Sequence, residues 1–121
     1  MDDRRKQRIA ENEASFREIN ERLNQGLRQL PDNPERLEFI CECGLQTCEQ
    51  HVLLSQREYE QVRLDSRRFA VVPGHVIPDT ERVVSSSDRF DVVEKLGEAI
   101  DLADATDPRA PGTTGRRDDQ L

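Results

Sequence analysis

Phe39-Ile40-Cys41-Glu42-Cys43-Gly44-Leu45-Gln46-Thr47-Cys48-Glu49-Gln50-His51 contains every cysteine of the 121-residue chain, spaced C-x-C-x4-C with a histidine two residues beyond. Thiolate and imidazole are the ligands zinc takes in closed tetrahedral sites, and three of the first with one of the second make a common structural set. Leu37 to Cys43 alternates in character, which predicts a strand with Leu37, Phe39, Cys41 and Cys43 on one face. Two cysteines at i and i+2 of a strand point the same way, so both thiolates reach one ion. Gly44 then permits the tight turn that returns Cys48. The flanking residues Glu42, Gly44, Gln46 and Glu49 are not apolar, which argues against plain buried thiols. The cluster is expected to staple a small fold with zinc.

Downstream, Val52 to Leu54 reads as a short strand. Ser55-Gln56-Arg57-Glu58 matches a capping box and predicts a helix from Gln56 to about Leu64, with Tyr59 and Val62 turned to the core. Phe69 to Val72 is a further apolar run, stopped by Pro73-Gly74, with His75 just past the turn. Glu81 to Ser85 and Arg89 to Lys95 are valine-rich and separated by Ser86-Ser87-Asp88, the pattern of a hairpin. From Gly97 the chain turns acidic and then rich in Pro, Gly and Thr. It allows a short helix over Leu96 to Ala105, and residues 106–121 are expected to be disordered.

Upstream, residues 3–30 predict one amphipathic helix. Ile9, Phe16, Leu23 and Leu30 recur every seven residues, and Ile19 and Leu27 extend the stripe. Asn12 and Gly26 fall where the second apolar heptad position belongs, so this is an imperfect coiled-coil seam. Pro31-Asp32-Asn33-Pro34 ends the helix. The expected organisation is α+β: a helix over 1–30 that serves self-association or a protein partner, a small zinc-stapled antiparallel sheet with one short helix and a C-terminal hairpin over 31–96, and an acidic, mostly disordered tail over 97–121.

With 36% charged, 34% hydrophobic and 4% aromatic residues, the chain can bury one small core. Domains of that size often depend on a metal, disulfides or self-association. A net charge of −7 argues against general affinity for nucleic acid or anionic membranes, and Arg4, Arg5, Lys6 and Arg8 stand beside Asp2 and Asp3. No apolar run is long enough for a membrane span or a signal peptide, so a cytoplasmic location is expected, where thiols stay reduced.

Several segments together resemble a group of small bacterial proteins, mainly actinobacterial: Phe16 to Arg22, Phe39 to Gly44, Glu58-Tyr59-Glu60 with Val62-Arg63, Arg68-Phe69 running into Val72-Pro73-Gly74-His75, and Val92 to Gly97. The resemblance spans about residues 16 to 99 and implies no particular activity. It does bear on the fourth ligand. Local spacing favours His51, whereas the resemblance implies that the Pro-Gly-His turn travels with the thiol run, making His75 the candidate beside Cys41, Cys43 and Cys48.

The leading expectation is therefore a non-enzymatic, zinc-binding regulatory or scaffolding module. A thiol-based redox switch is one alternative. Another is an iron–sulfur protein, since the order of three cysteines and one histidine is similar to that of CDGSH-type proteins; here the gaps are shorter, and Glu49-Gln50 stands where Asp-Gly should follow the third cysteine. Catalysis would need an open metal position and a nearby base, for which Glu42 and Glu49 are the carboxylates at hand. The chain has two histidines, both already metal candidates.

Overall fold

The computed structural model describes residues 3–28 and 35–109, without the Arg28 side chain. Leu30 and the Pro31–Pro34 segment lie outside them. The elements are α1 (Asp3–Arg28), β1 (Leu37–Ile40), β2 (His51–Leu54), α2 (Gln56–Arg63), β3 (Arg68–Val71), β4 (Glu81–Ser86), β5 (Asp91–Lys95) and α3 (Glu98–Ala105). The fold is α+β with two antiparallel sheets: β1 pairs with β2, and β5 lies between β3 and β4. Strand β1 stops at Ile40, three residues short of the alternation. Beyond it the Cys41 amide donates to the Gln50 carbonyl, but the Glu42 amide turns to the Ala70 carbonyl of β3. That switch of partner joins the two sheets.

Local signals account for several boundaries. The Ser55 hydroxyl accepts from the Glu58 amide and the Glu58 carboxylate accepts from the Ser55 amide, a complete capping box at the start of α2. Tyr59 and Val62 face inward, and the Tyr59 ring stacks on Phe39 with centroids 4.6 Å apart. The β4–β5 hairpin carries an irregularity between Val83 and Ser85. One core cluster gathers Phe39, Val52, Leu54, Tyr59, Val62, Ala70 and Val92 with Leu27 of α1. A second gathers Phe69, Val71, Val93 and Ala103 with Cys41 and Cys43. Residues 97–109, which the sequence assigns to an acidic tail, hold α3 and send Ala103 and Asp107 into the interior. Residues 110–121 lie outside the described region.

Helix α1 packs against β1, α2 and α3, and the side chains it buries are mostly polar: Glu13, Arg17, Asn20, Glu21 and Asn24, between Ile9 and Leu27. Of the stripe expected from periodicity, Ile9 and Leu27 are buried, whereas Ile19 and Leu23 stay 43% and 38% exposed. The reason is that the polar residues recur at helical spacing on the inner face and each finds a partner there. Arg17 is wholly buried; it donates to the Ser66 and Ala103 carbonyls at 2.7 and 2.8 Å, and its guanidinium lies 4.5 Å above the Phe69 ring. Asn20 acts as a substitute strand, accepting from the Ile40 amide at 2.9 Å and donating to the Ile40 carbonyl at 2.8 Å. Arg63 of α2, fully enclosed, pairs with Glu21 and with Asp107.

Lys95 at the end of β5 donates to both Glu13 and Glu81, all three side chains being buried. Burial pushes the Glu13 carboxyl up to about 8; Lys95 opposes the rise, and Glu81 adds to it. An acid whose folded value exceeds its unfolded one takes up a proton on folding. Its contribution to stability is therefore complete below the unfolded value of about 4.3 and is lost as pH rises toward 8. Chemical denaturation is expected to show stability falling from about pH 5 to pH 8, and Glu13→Gln should flatten that slope. An unchanged slope in the variant would assign the pH dependence elsewhere.

Candidate metal centre

The metal-type cluster is built from two turns that face one another. In the first, Cys41 leaves β1, Gly44 adopts φ +79°, and the Cys48 amide closes a turn onto the Leu45 carbonyl. In the second, Val72-Pro73-Gly74-His75 closes with the His75 amide on the Val72 carbonyl at 2.9 Å, and Gly74 has φ +89°. Proline followed by a glycine at positive φ is the residue order of a type II turn, which brings the chain back on itself. Asp91 of β5 accepts from the Gly74 amide and fixes the turn to the sheet. His75 thereby swings over the thiols.

The ligand atoms of Cys41, Cys43, Cys48 and His75 all lie within 4.8 Å of one another, and this set could hold a metal ion. His75 Nδ1 is 3.6 Å from Cys41 Sγ and 3.7 Å from Cys48 Sγ. Ligands about 2.3 Å (sulfur) and 2.0–2.1 Å (nitrogen) from a tetrahedral ion stand about 3.5–3.6 Å apart, so these gaps suit one ion at the centre. Cys41 and Cys43 are fully buried, while Cys48 and His75 are partly exposed. His51 is not brought to the cluster: it sits exposed on β2 with Nδ1 3.9 Å from Glu38 Oε1.

Backbone amides are aimed at the sulfurs. The Val72 amide donates to Cys41 Sγ at 3.2 Å, and the backbones of Leu45 and Gln50 hydrogen-bond to Cys43 and Cys48. Such donors favour thiolate over thiol, which is the form that ligates. The hydrogen bond from Cys41 holds the Cys43 thiol down at about 5, and the same bond raises Cys41. Burial raises Cys48.

Glu42, between the first two cysteines, points the opposite way into the interior. Its carboxylate accepts from Asn20 at 2.8 Å and the Ala70 amide at 3.0 Å, with the Tyr59 hydroxyl 3.4 Å away. Burial pushes its carboxyl up, and the bonds from Asn20 and Ala70 oppose this. Glu42 thus braces the turn and does not face the ligand atoms; Glu49 is exposed. Neither Asn20 nor this role of Glu42 is legible from the motif. The available signal is that in an extended segment a carboxylate between two same-facing cysteines points to the opposite side.

The turn also rests on α1. Asn12 donates to the Gly44 carbonyl at 2.9 Å, and a Cβ at Gly44 would stand 2.7 Å from Glu13 Cγ and 2.8 Å from both Ile9 Cγ2 and the Ile9 carbonyl oxygen. Gly44→Ala therefore meets both a left-handed backbone and a helix with no space to give. A loss of at least about 2 kcal/mol is expected in denaturant unfolding. A loss below about 0.5 kcal/mol would mean that the turn does not bear on α1.

No protein-family model matches the chain, no curated protein matches it, and no solved structure matches it. Among the described residues, no helix is long and apolar enough to cross a membrane.

Proposed function

We propose that the protein is a non-enzymatic, zinc-stapled interaction module, in which one zinc per chain is held by Cys41, Cys43, Cys48 and His75 and α1 offers the surface that meets a protein partner. The observation that carries the reading is the pair of S···N gaps, 3.6 and 3.7 Å, which match the edges of a tetrahedron around a single ion. Three soft thiolates with an imidazole favour zinc over hard divalent cations. Four protein ligands leave no open position for a substrate, and the bracing carboxylate of Glu42 faces away, which supports a structural role over a catalytic one.

The close grouping favours one ion over a two-iron cluster, whose ligands divide between two metal centres. Full burial of Cys41 and Cys43 shields two of the three thiolates and weighs against a redox switch. The proposal includes kinship with the group of small bacterial proteins named above, and on it the protein is a regulatory or scaffolding component of the cytoplasm.

Elemental analysis of protein purified without chelator tests the metal. One zinc per chain is expected, lost in Cys43→Ser and His75→Ala and retained in His51→Ala. Iron with a brown visible spectrum, or zinc retained in His75→Ala and lost in His51→Ala, would overturn the assignment.

A further inference from the structure

One flank of α1 carries a short apolar seam amid charged neighbours. Ile19 and Leu23 are large, exposed and one turn apart, half-buried Phe16 precedes them, and Gly26 follows at heptad spacing. On a helix of 3.6 residues per turn this seam lies about 120° round from the buried polar side chains, so a neighbour can lie beside the body without displacing α1 from it. Ile19, Arg22, Leu23 and Gly26 line a shallow groove of 350 Å³, and nothing stands within 4 Å of where a Gly26 Cβ would be.

The seam is complementary to itself in one orientation. A two-fold axis crossing the seam midway between Ile19 and Leu23 sets Phe16 of each copy against Gly26 of the other, a large knob over an open hole, and Ile19 against Leu23. A parallel pair would instead stack Phe16 on Phe16 and leave Gly26 facing Gly26. Charge agrees with the antiparallel choice. Glu18 and Arg22 lie on the same exposed flank, 3.4 Å apart within one chain, and the axis brings Arg22 of each copy next to Glu18 of the other.

We infer that the partner of α1 is a second copy of this chain, docked antiparallel through Phe16, Ile19, Leu23 and Gly26; this rests on the reading of α1 as the contact surface. The seam from Phe16 to Gly26 is about 15 Å long at 1.5 Å per residue, below the extent of a standard interface, so the dimer is expected to dissociate in the micromolar range.

Sedimentation equilibrium of the full, metal-loaded chain is the test, with metal content measured on the same samples. The mass is expected to move from one chain to two as concentration rises. Leu23→Glu should weaken the dimer about a hundredfold and Gly26→Phe at least about tenfold, with the metal retained. Glu18→Arg and Arg22→Glu should each weaken it, and the double variant should restore it. A single-chain mass at every concentration, a dimer indifferent to Leu23→Glu, or no restoration in the double variant would overturn the antiparallel dimer. Metal content reports separately on the zinc reading, so a monomer that holds one zinc would remove only the dimer.

Discussion

Verified removal of the proposed zinc is expected to unfold the described body, read as loss of the near-ultraviolet signal of Tyr59, the one tyrosine in the chain. Tyr59 is enclosed and stacked on Phe39, so its signal follows the β1–α2 packing and not the cluster alone. The expected effect is large because structural zinc in small peptides contributes about 10–16 kcal/mol at neutral pH, while whole domains are stable by about 5–15 kcal/mol. Without the ion, Cys41 and Cys43 would have to stay in the core with no cation between them to balance thiolate charge. Helix α1 should melt with the body, because a helix severed from its packing is marginal in water and this one is held by Ile40, Glu42 and Gly44 of the metal turn. A Tyr59 signal and melting midpoint unaffected by metal removal would show that the ion is not a staple.

Arg63→Ala is expected to be the most damaging single change away from the candidate metal centre. The guanidinium has no exposed surface and lies between Glu21 of α1 and Asp107 after α3, each 6% exposed. Truncation leaves two enclosed carboxylates facing one another, and removing one partner of a buried pair costs about 3–5 kcal/mol. Arg109 still holds Glu21 through two hydrogen bonds at 2.5 and 2.7 Å, and its amide donates to Asp107 at 2.9 Å, a bond that a neutral side chain there can also accept. Asp107→Asn in the Arg63→Ala background should therefore recover part of the loss. Urea unfolding at constant metal loading measures both steps. A change below about 1 kcal/mol for Arg63→Ala would mean that the pair is solvated in solution.

The parts of the fold that the chain states locally could be read from it. The capping box at Ser55, the Pro73-Gly74 turn, the valine hairpin and the C-x-C run each depend on residues within a few positions of one another. The orientation of α1 was not legible for the opposite reason. Apolar periodicity points to Ile19 and Leu23, yet the inward face is decided by pairings with Ile40, Ala103 and Lys95, tens of residues away. Polar side chains carry no periodic preference for the interior until those partners exist. The choice between His51 and His75 lay between these cases: local spacing favoured the first, while a type II turn approaching from another sheet brought the second to the thiols.

The polar inner face of α1 also bears on how the protein responds to temperature. Unfolding raises heat capacity through exposed apolar surface and lowers it through exposed polar surface, at about +0.45 and −0.26 cal/K/mol per Å² respectively. Detaching α1 uncovers Glu13, Arg17, Asn20, Glu21 and Asn24 beside only two large aliphatic side chains, Ile9 and Leu27. Calorimetry of the whole chain should accordingly give a heat-capacity increment below the norm for its length. The stability curve is then shallow, its midpoint responds steeply to small changes in free energy, and cold unfolding is pushed far below the freezing point of water.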